Sequence, residues 1–210
     1  MKTSIIVKYI YELTTYAANL ENVNITVKQT KRMINDLSAL PLSQYEQYIV
    51  LNLYDVYKQI ANEEIQYNKK NPLITLMNIN KVIGNQIIYQ NGTLRQGHVE
   101  ITGTSYTPKP VSYEEVNNLI LNTLYEMNED NILLLHCKLM KIQPFNDGNK
   151  RSTMVFSNLL LNKYFNKILL IKNKDIDKYR DLFIEYYETD DNKQFIKFLK
   201  QRLISHSNKM

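Results

Sequence analysis

The stretch IQPFNDGNKRST, residues 142–153, gathers residue types that hold anions. Gly148 and Asn149 tolerate positive backbone angles, so neighbouring amides can turn to one side and form a concavity for negative charge. A helix beginning near Arg151 adds unpaired N–H groups and the positive end of its dipole. Lys150 and Arg151 add full charges. Two basic residues at a helix start oppose the dipole at about 0.3–1 kcal/mol each, so they ask for an anion in return. Asp147 lies within this positive field, where a carboxylate beside phosphate can recruit magnesium. Phe145 is the large apolar residue of the loop and is expected to plug into the core. The stretch therefore reads as a di- or triphosphate site; read as DGN alone, it is also an ordinary turn.

If such a site served attack of a hydroxyl on phosphorus, a proton acceptor would be needed, and Gln143, which opens the loop, has no such basicity. His98, His136 and Glu100 are the candidate substitutes. His98 reads as an exposed residue of an extended segment, and His136, on an apolar helix, as a satisfied core histidine. The single cysteine, Cys137, lies in the run ILLLHCKLM and reads as a buried small hydrophobe.

Few breaks interrupt the elements that carry this loop. Only five glycines and five prolines occur in 210 residues, and apolar residues recur at helical spacing. Helices are expected over 4–20, from Thr26 through Leu40, from Pro41 to about 66, over 73–90, from Ser112 towards Met127, over 131–142, 151–165, 175–188 and 192–204. Ser112 with Glu115 has the spacing of a capping box. The pattern changes in NGTLRQGHVEITGTSYTPKP, where Asn91-Gly92 marks a turn and Val99 and Ile101 alternate with polar residues, which predicts a β-hairpin flap at about 93–103. The fold class is all-α with that one short hairpin, in a single domain over 1–210.

Composition excludes several function classes. The +5 net charge is scattered, with no arginine-rich cluster, so no DNA partner is expected. Lys8 and Glu12 interrupt the first apolar run, so neither a signal peptide nor a membrane span is expected, and a cytoplasmic location follows. The sixteen tyrosines read as helix packing, with the helix from 42 to 66 offering a self-association face.

The segment PFNDGNKR resembles the signature loop of the Fic family, His-x-Phe-x-Asp/Glu-Gly-Asn-Gly/Lys-Arg-x-x-Arg. Leu94 to Gly103, followed by Tyr106, Pro108 and Pro110, resembles the family's flap, so the likeness spans 94–165. The resemblance implies an adenylyltransferase that moves AMP from ATP to a protein hydroxyl with Mg2+, or, in a Doc-like branch that shares the lysine, a kinase of a toxin–antitoxin system with an antitoxin partner. It implies that Gln143 occupies the position of the catalytic His, that Asp147 holds magnesium, and that Asn146, Gly148, Asn149, Lys150 and Arg151 bind the nucleotide. Val99, Glu100, Ile101, Thr102 and Gly103 would dock the protein target along the flap. With Gln143 in the His position, transfer is expected to be impaired or absent, which leaves a nucleotide- or protein-binding module as the alternative.

Residues 1–25 resemble the family's inhibitory N-terminal helix, with Glu21 as the inhibitory glutamate and Ala17 in place of the motif's hydroxyl residue. Leu20-Glu21-Asn22 also reads as a plain helix end capped by Asn22. Met154 stands at the second arginine of the signature, so Glu21 is expected to have lost its ionic partner.

Overall fold

The computed structural model describes residues 4–36 and 40–205. Nine helices are present among them: α1 Ile5–Asn19, α2 Val27–Asp36, α3 Gln44–Ala61, α4 Pro72–Ile83, α5 Tyr113–Thr123, α6 Glu129–Ile142, α7 Asn149–Phe165, α8 Ile176–Thr189 and α9 Lys193–Lys200. The all-α reading is correct. The expected extension of α2 to Leu40 falls partly on residues 37–39, outside the described residues.

α7 is the axis of the molecule. From Asn149 to Leu161 every residue except Lys150 is buried, and α1, α3, α4 and α6 all pack against it. Such a helix shows no amphipathic stripe because it has no solvent side to leave polar. Several of its buried polar residues bond to neighbouring elements. Asn158 donates to Leu169 O at 3.1 Å and accepts from Leu169 N at 2.6 Å, which fixes strand β1 (Lys167–Leu169) against α7. Ser157 bonds Nδ1 of His136 at 3.0 Å, while Nε2 of His136 meets Tyr179 Oη at 2.9 Å. His136 is thus a satisfied core residue, as expected, and burial pushes its pKa down to about 3. Cys137 is equally buried, and its thiol pKa is pushed up.

Helix starts follow local chemistry. Ser43 with Glu46 and Ser112 with Glu115 both form complete capping boxes, each satisfying two backbone donors reciprocally. The expected helix over 73–90 stops at Ile83, and its C-cap Gly84 packs so closely against Asn91 that a Cβ there would lie 2.6 Å from Asn91 Cβ. The last helix ends at Lys200 rather than 204; Leu203–Ser205 instead forms β2, antiparallel to β1.

The flap carries the main correction to the expected elements. Among the described residues, 95–112 contain no strand: Leu94 makes an isolated β-bridge to Phe145 of the loop, Arg95 N donates to Pro144 O at 3.0 Å, and a turn at 102–103 interrupts the segment. The tyrosines of α3 serve mostly internal packing: Tyr57 is buried in the core and Tyr54 stacks on Tyr11 at 5.8 Å, which leaves Tyr45 exposed. No described helix is long and apolar enough to cross a membrane.

Candidate functional site

The loop between α6 and α7 owes its shape to neutral amides and one buried guanidinium. α6 ends at Gln143, whose backbone is left-handed at φ 47°. A non-glycine residue there costs about 1–2 kcal/mol. Four contacts hold it: its N–H donates to Leu139 O, and its side-chain Nε2 donates to Met140 O at 2.8 Å and to Tyr187 Oη at 2.7 Å. The fourth is Arg95, whose Nε donates to Gln143 O at 2.5 Å.

Arg95 is almost fully buried and spends its other donors on the carbonyls of Gly97, Pro108, Lys109 and Ile142. A cation buried without a carboxylate survives only because carbonyl dipoles surround it, and burial lowers its pKa. Flap and loop are thereby tied together.

Phe145 is buried as expected, worth about 2–3 kcal/mol of apolar transfer. Asn149 closes the loop over it: its Oδ1 accepts from Phe145 N at 2.9 Å and its Nδ2 donates to Phe145 O at 2.8 Å. The Asn149 side chain is therefore spent on the loop itself, and only its backbone amide faces outward. Asn80 of α4, fully buried, donates to Asp147 O at 3.1 Å and to Ser152 Oγ at 3.0 Å, and accepts from Gly92 N at 2.7 Å. Gly148 is required twice over. Its φ is +75°, and a Cβ would lie 2.9 Å from Ile88 Cδ1.

The outward side differs. The Gly148 amide, expected to be free, donates to its neighbour's carboxylate, Asp147 Oδ1, at 2.5 Å. The amides of Asn149, Lys150 and Arg151, at the start of α7, donate to no acceptor among the described residues. Asn146 and Asp147 are exposed. Arg151 is only 2% exposed, yet its Nε and Nη1 have no hydrogen-bond partner, and Nη2 reaches Asp147 Oδ2 at 3.3 Å. Unpaired buried donors of a cation are rare, because each forfeits hydration without return.

Glu21 approaches this cationic end from α1. Its carboxylate lies 3.3 Å from Lys150 Nζ and 3.7 Å from Arg151 Nε. The expectation that it lacks an ionic partner is wrong, because Lys150 and Arg151 supply what position 154 does not. Met154 faces the other way and is buried in an apolar gap lined by Leu13, Ala17, Leu20, Tyr57 and Leu170. The helix-end reading of Leu20-Glu21-Asn22 holds: Asn22 is the left-handed residue of the turn that follows α1, at φ 64°, with Val23 N donating back to Ala18 O at 3.3 Å.

Among the described residues, none of the candidate bases is placed at Gln143. His136 is buried and spoken for, His98 and Glu100 are exposed on the flap, and the Tyr187 hydroxyl, which does contact Gln143, is pushed by burial far above its ordinary pKa. Among the described residues no cluster of three or more His, Cys, Asp or Glu could hold a metal. Asp147 would have to be joined by ligand oxygens.

Sequence reasoning missed Asn80, Tyr187 and the role of Arg95. Arg95 lies 48 residues from Gln143 and Asn80 lies 67 from Asp147, separations at which spacing carries no signal.

A helical fold with an anion loop between two central helices and an extended flap bridged to it is the architecture of Fic proteins. Residues 72–161 match the Fic/DOC family. It superposes on a Fic family protein from Desulfovibrio desulfuricans G20 with a TM-score of 0.76 at 18% identity, over 93% of this chain and 62% of that one. For Fic-1 (aa134–508) from C. elegans the TM-score is 0.75 at 16% identity, over 95% and 61%. For the BepC protein of Bartonella tribocorum, a VirB-translocated effector with bound AMPPNP, it is 0.57 at 12% identity, over 77% and 88%. The chain thus spans about three fifths of the length of the first two. No curated protein matches it.

Proposed function

We propose that the protein is a Fic-type transferase that binds a magnesium nucleotide at the 146–151 loop and transfers AMP slowly, if at all, to a hydroxyl of a protein target. The observation that carries this reading is Arg151, a buried guanidinium with two unpaired nitrogens beside three unpaired amides of α7. A polyphosphate supplies the acceptors this end of the loop lacks. The family match and the AMPPNP held by the Bartonella relative support the same ligand class.

Asp147 is the carboxylate that would hold magnesium, which when bound would offset the charge on the phosphates. Lys150 and Arg151 would bind and orient the phosphates, and positioning and charge account for most of what phosphoryl-type transfer needs. In the transfer, the target oxygen bonds to the α-phosphorus and the bond from that phosphorus to pyrophosphate breaks. The hydroxyl proton must pass to solvent or to phosphate oxygen, since the Gln143 amide cannot take it. Loss of a general base costs about 10²–10⁴ in rate.

The target would lie along the flap. Among the described residues, the backbone amides of 98–103 donate to no protein acceptor, so an extended peptide could pair there with little regard to its sequence. Glu21 would act as the inhibitory group by occupying, with its own carboxylate, the cations that phosphate needs.

A second reading, a nucleotide-binding module without transfer, is favoured by Gln143 itself, whose Nε2 is committed to Met140 and Tyr187. Parallel incubation with α- and γ-labelled ATP, for the wild type and Gln143→His, separates the readings. Label from the α position, stronger in the variant, supports the adenylyltransferase; label from γ supports a Doc-like kinase; nucleotide binding without either label supports the module. Asp147→Ala should abolish the magnesium dependence of binding, and unchanged affinity would remove that assignment.

A further inference from the structure

We propose that Arg180 of α8 is a positioning residue that latches the Leu20–Asn22 turn and so holds Glu21 on Lys150 and Arg151. The inference rests on the nucleotide reading for its functional meaning, but the contact itself is independent of it.

Glu21 lies beyond the last residue of α1, on a turn whose own bonds, Glu21 N to Ala18 O and Asn22 N to Asn19 O, fix the backbone without aiming the turn at α7. The aim comes from outside. Arg180 Nη2 donates to Leu20 O at 3.1 Å and to Asn22 Oδ1 at 2.6 Å, gripping the residues on either side of Glu21. Lys150 Nζ approaches the same Leu20 carbonyl at 3.4 Å, so one oxygen joins α1, α7 and α8. Asn19 braces the inner side through Ile25 and Asn173. A cavity of about 260 Å³, lined by Asn22, Asp177 and Arg180 together with Asn19 and Asn173 of that brace, adjoins the turn and gives a released turn room to move.

The charges are consistent with a latch rather than a buried strut. Arg180 is about one third exposed, and its nearest carboxylate, Asp177, is 4.0 Å away and almost fully exposed, so the guanidinium is not held elsewhere by a strong ion pair. Arg180 lies on α8, outside residues 72–161, which match the family.

Two measurements on the full chain test this, using the wild type, Arg180→Ala, Arg180→Lys, Glu21→Gln and the double variant Arg180→Ala/Glu21→Gln. The first is the rate at which acetic anhydride modifies Lys150 relative to the other lysines, without nucleotide. Arg180→Ala should raise it about as much as Glu21→Gln, Arg180→Lys should fall between, and the double variant should equal Glu21→Gln alone. The second is the Kd for magnesium–AMPPNP. Arg180→Ala should tighten it about tenfold, the equivalent of one charge-assisted hydrogen bond, with no further gain once Glu21 is gone. An unchanged Lys150 rate in Arg180→Ala overturns the latch, and so does an Arg180 effect that adds in full to that of Glu21→Gln, which marks general loosening. If the Lys150 pattern is as expected but Glu21→Gln binds no nucleotide, the latch stands and the nucleotide reading alone fails.

Discussion

The two sides of the 143–152 loop are built on opposite terms. Inward, Asn80, Asn149 and Arg95 place nearly every donor on an acceptor, and Phe145 fills the core. Outward, cations and helix amides exceed the acceptors available, and the one carboxylate drawn in from α1 does not satisfy Arg151. The inner side carries fold stability. The outer side is what a molecule built only to fold would discard.

The sharpest way to break this contrast is Arg95→Ala. It strips five carbonyls of their donor in a buried place and should destabilise the protein by about 3–5 kcal/mol, read as a shift of the urea midpoint. A loss below about 1 kcal/mol would mean the inner frame does not depend on it. Gly148→Ala forces a left-handed backbone on alanine and a methyl group onto Ile88, for about 2–4 kcal/mol, and should weaken nucleotide binding in parallel.

Acid tests the frame behind the loop. The folded state holds the pKa of His136 near 3, below the 6.5 of the unfolded chain, so only the unfolded chain gains a proton as pH falls through that interval. This stability is complete above about pH 6.5 and is lost progressively down to about pH 3, amounting to about 2 kcal/mol by pH 5. Denaturant titrations at pH 7 and pH 5 measure it, and His136→Gln should flatten the dependence.

The smallest expected change in stability belongs to the outer side. Arg151→Leu should alter unfolding by less than about 1 kcal/mol, because Glu21 and Asp147 keep access to water, while nucleotide affinity falls at least about tenfold. A large stability loss would return Arg151 to the frame.

This division also explains what was legible in the sequence. The cations, the turn residues and the helix periods are local, and they gave the fold and the position of the loop. The frame is not local: a carboxamide on α4 and a guanidinium on the flap carry no pattern that points to their partners. Val99 and Ile101 alternate as a strand would, but alternation reports an extended chain and not a neighbour to pair with, and none is there. The helix starting after Lys70 was extended too far because Ile87 and Ile88 continue its period beyond Gly84. The partner of Glu21 was sought at position 154, yet Arg151 lies one turn earlier on the same helix and Lys150 beside it, within reach of a long carboxylate side chain.

Asn80 has one consequence that reaches past the loop. Its single carboxamide grips the root of the flap at Gly92, the carbonyl of Asp147 and the hydroxyl of Ser152. The base of the flap and the start of α7 therefore share one anchor, so Gly92 cannot shift without disturbing the bonds to Asp147 and Ser152.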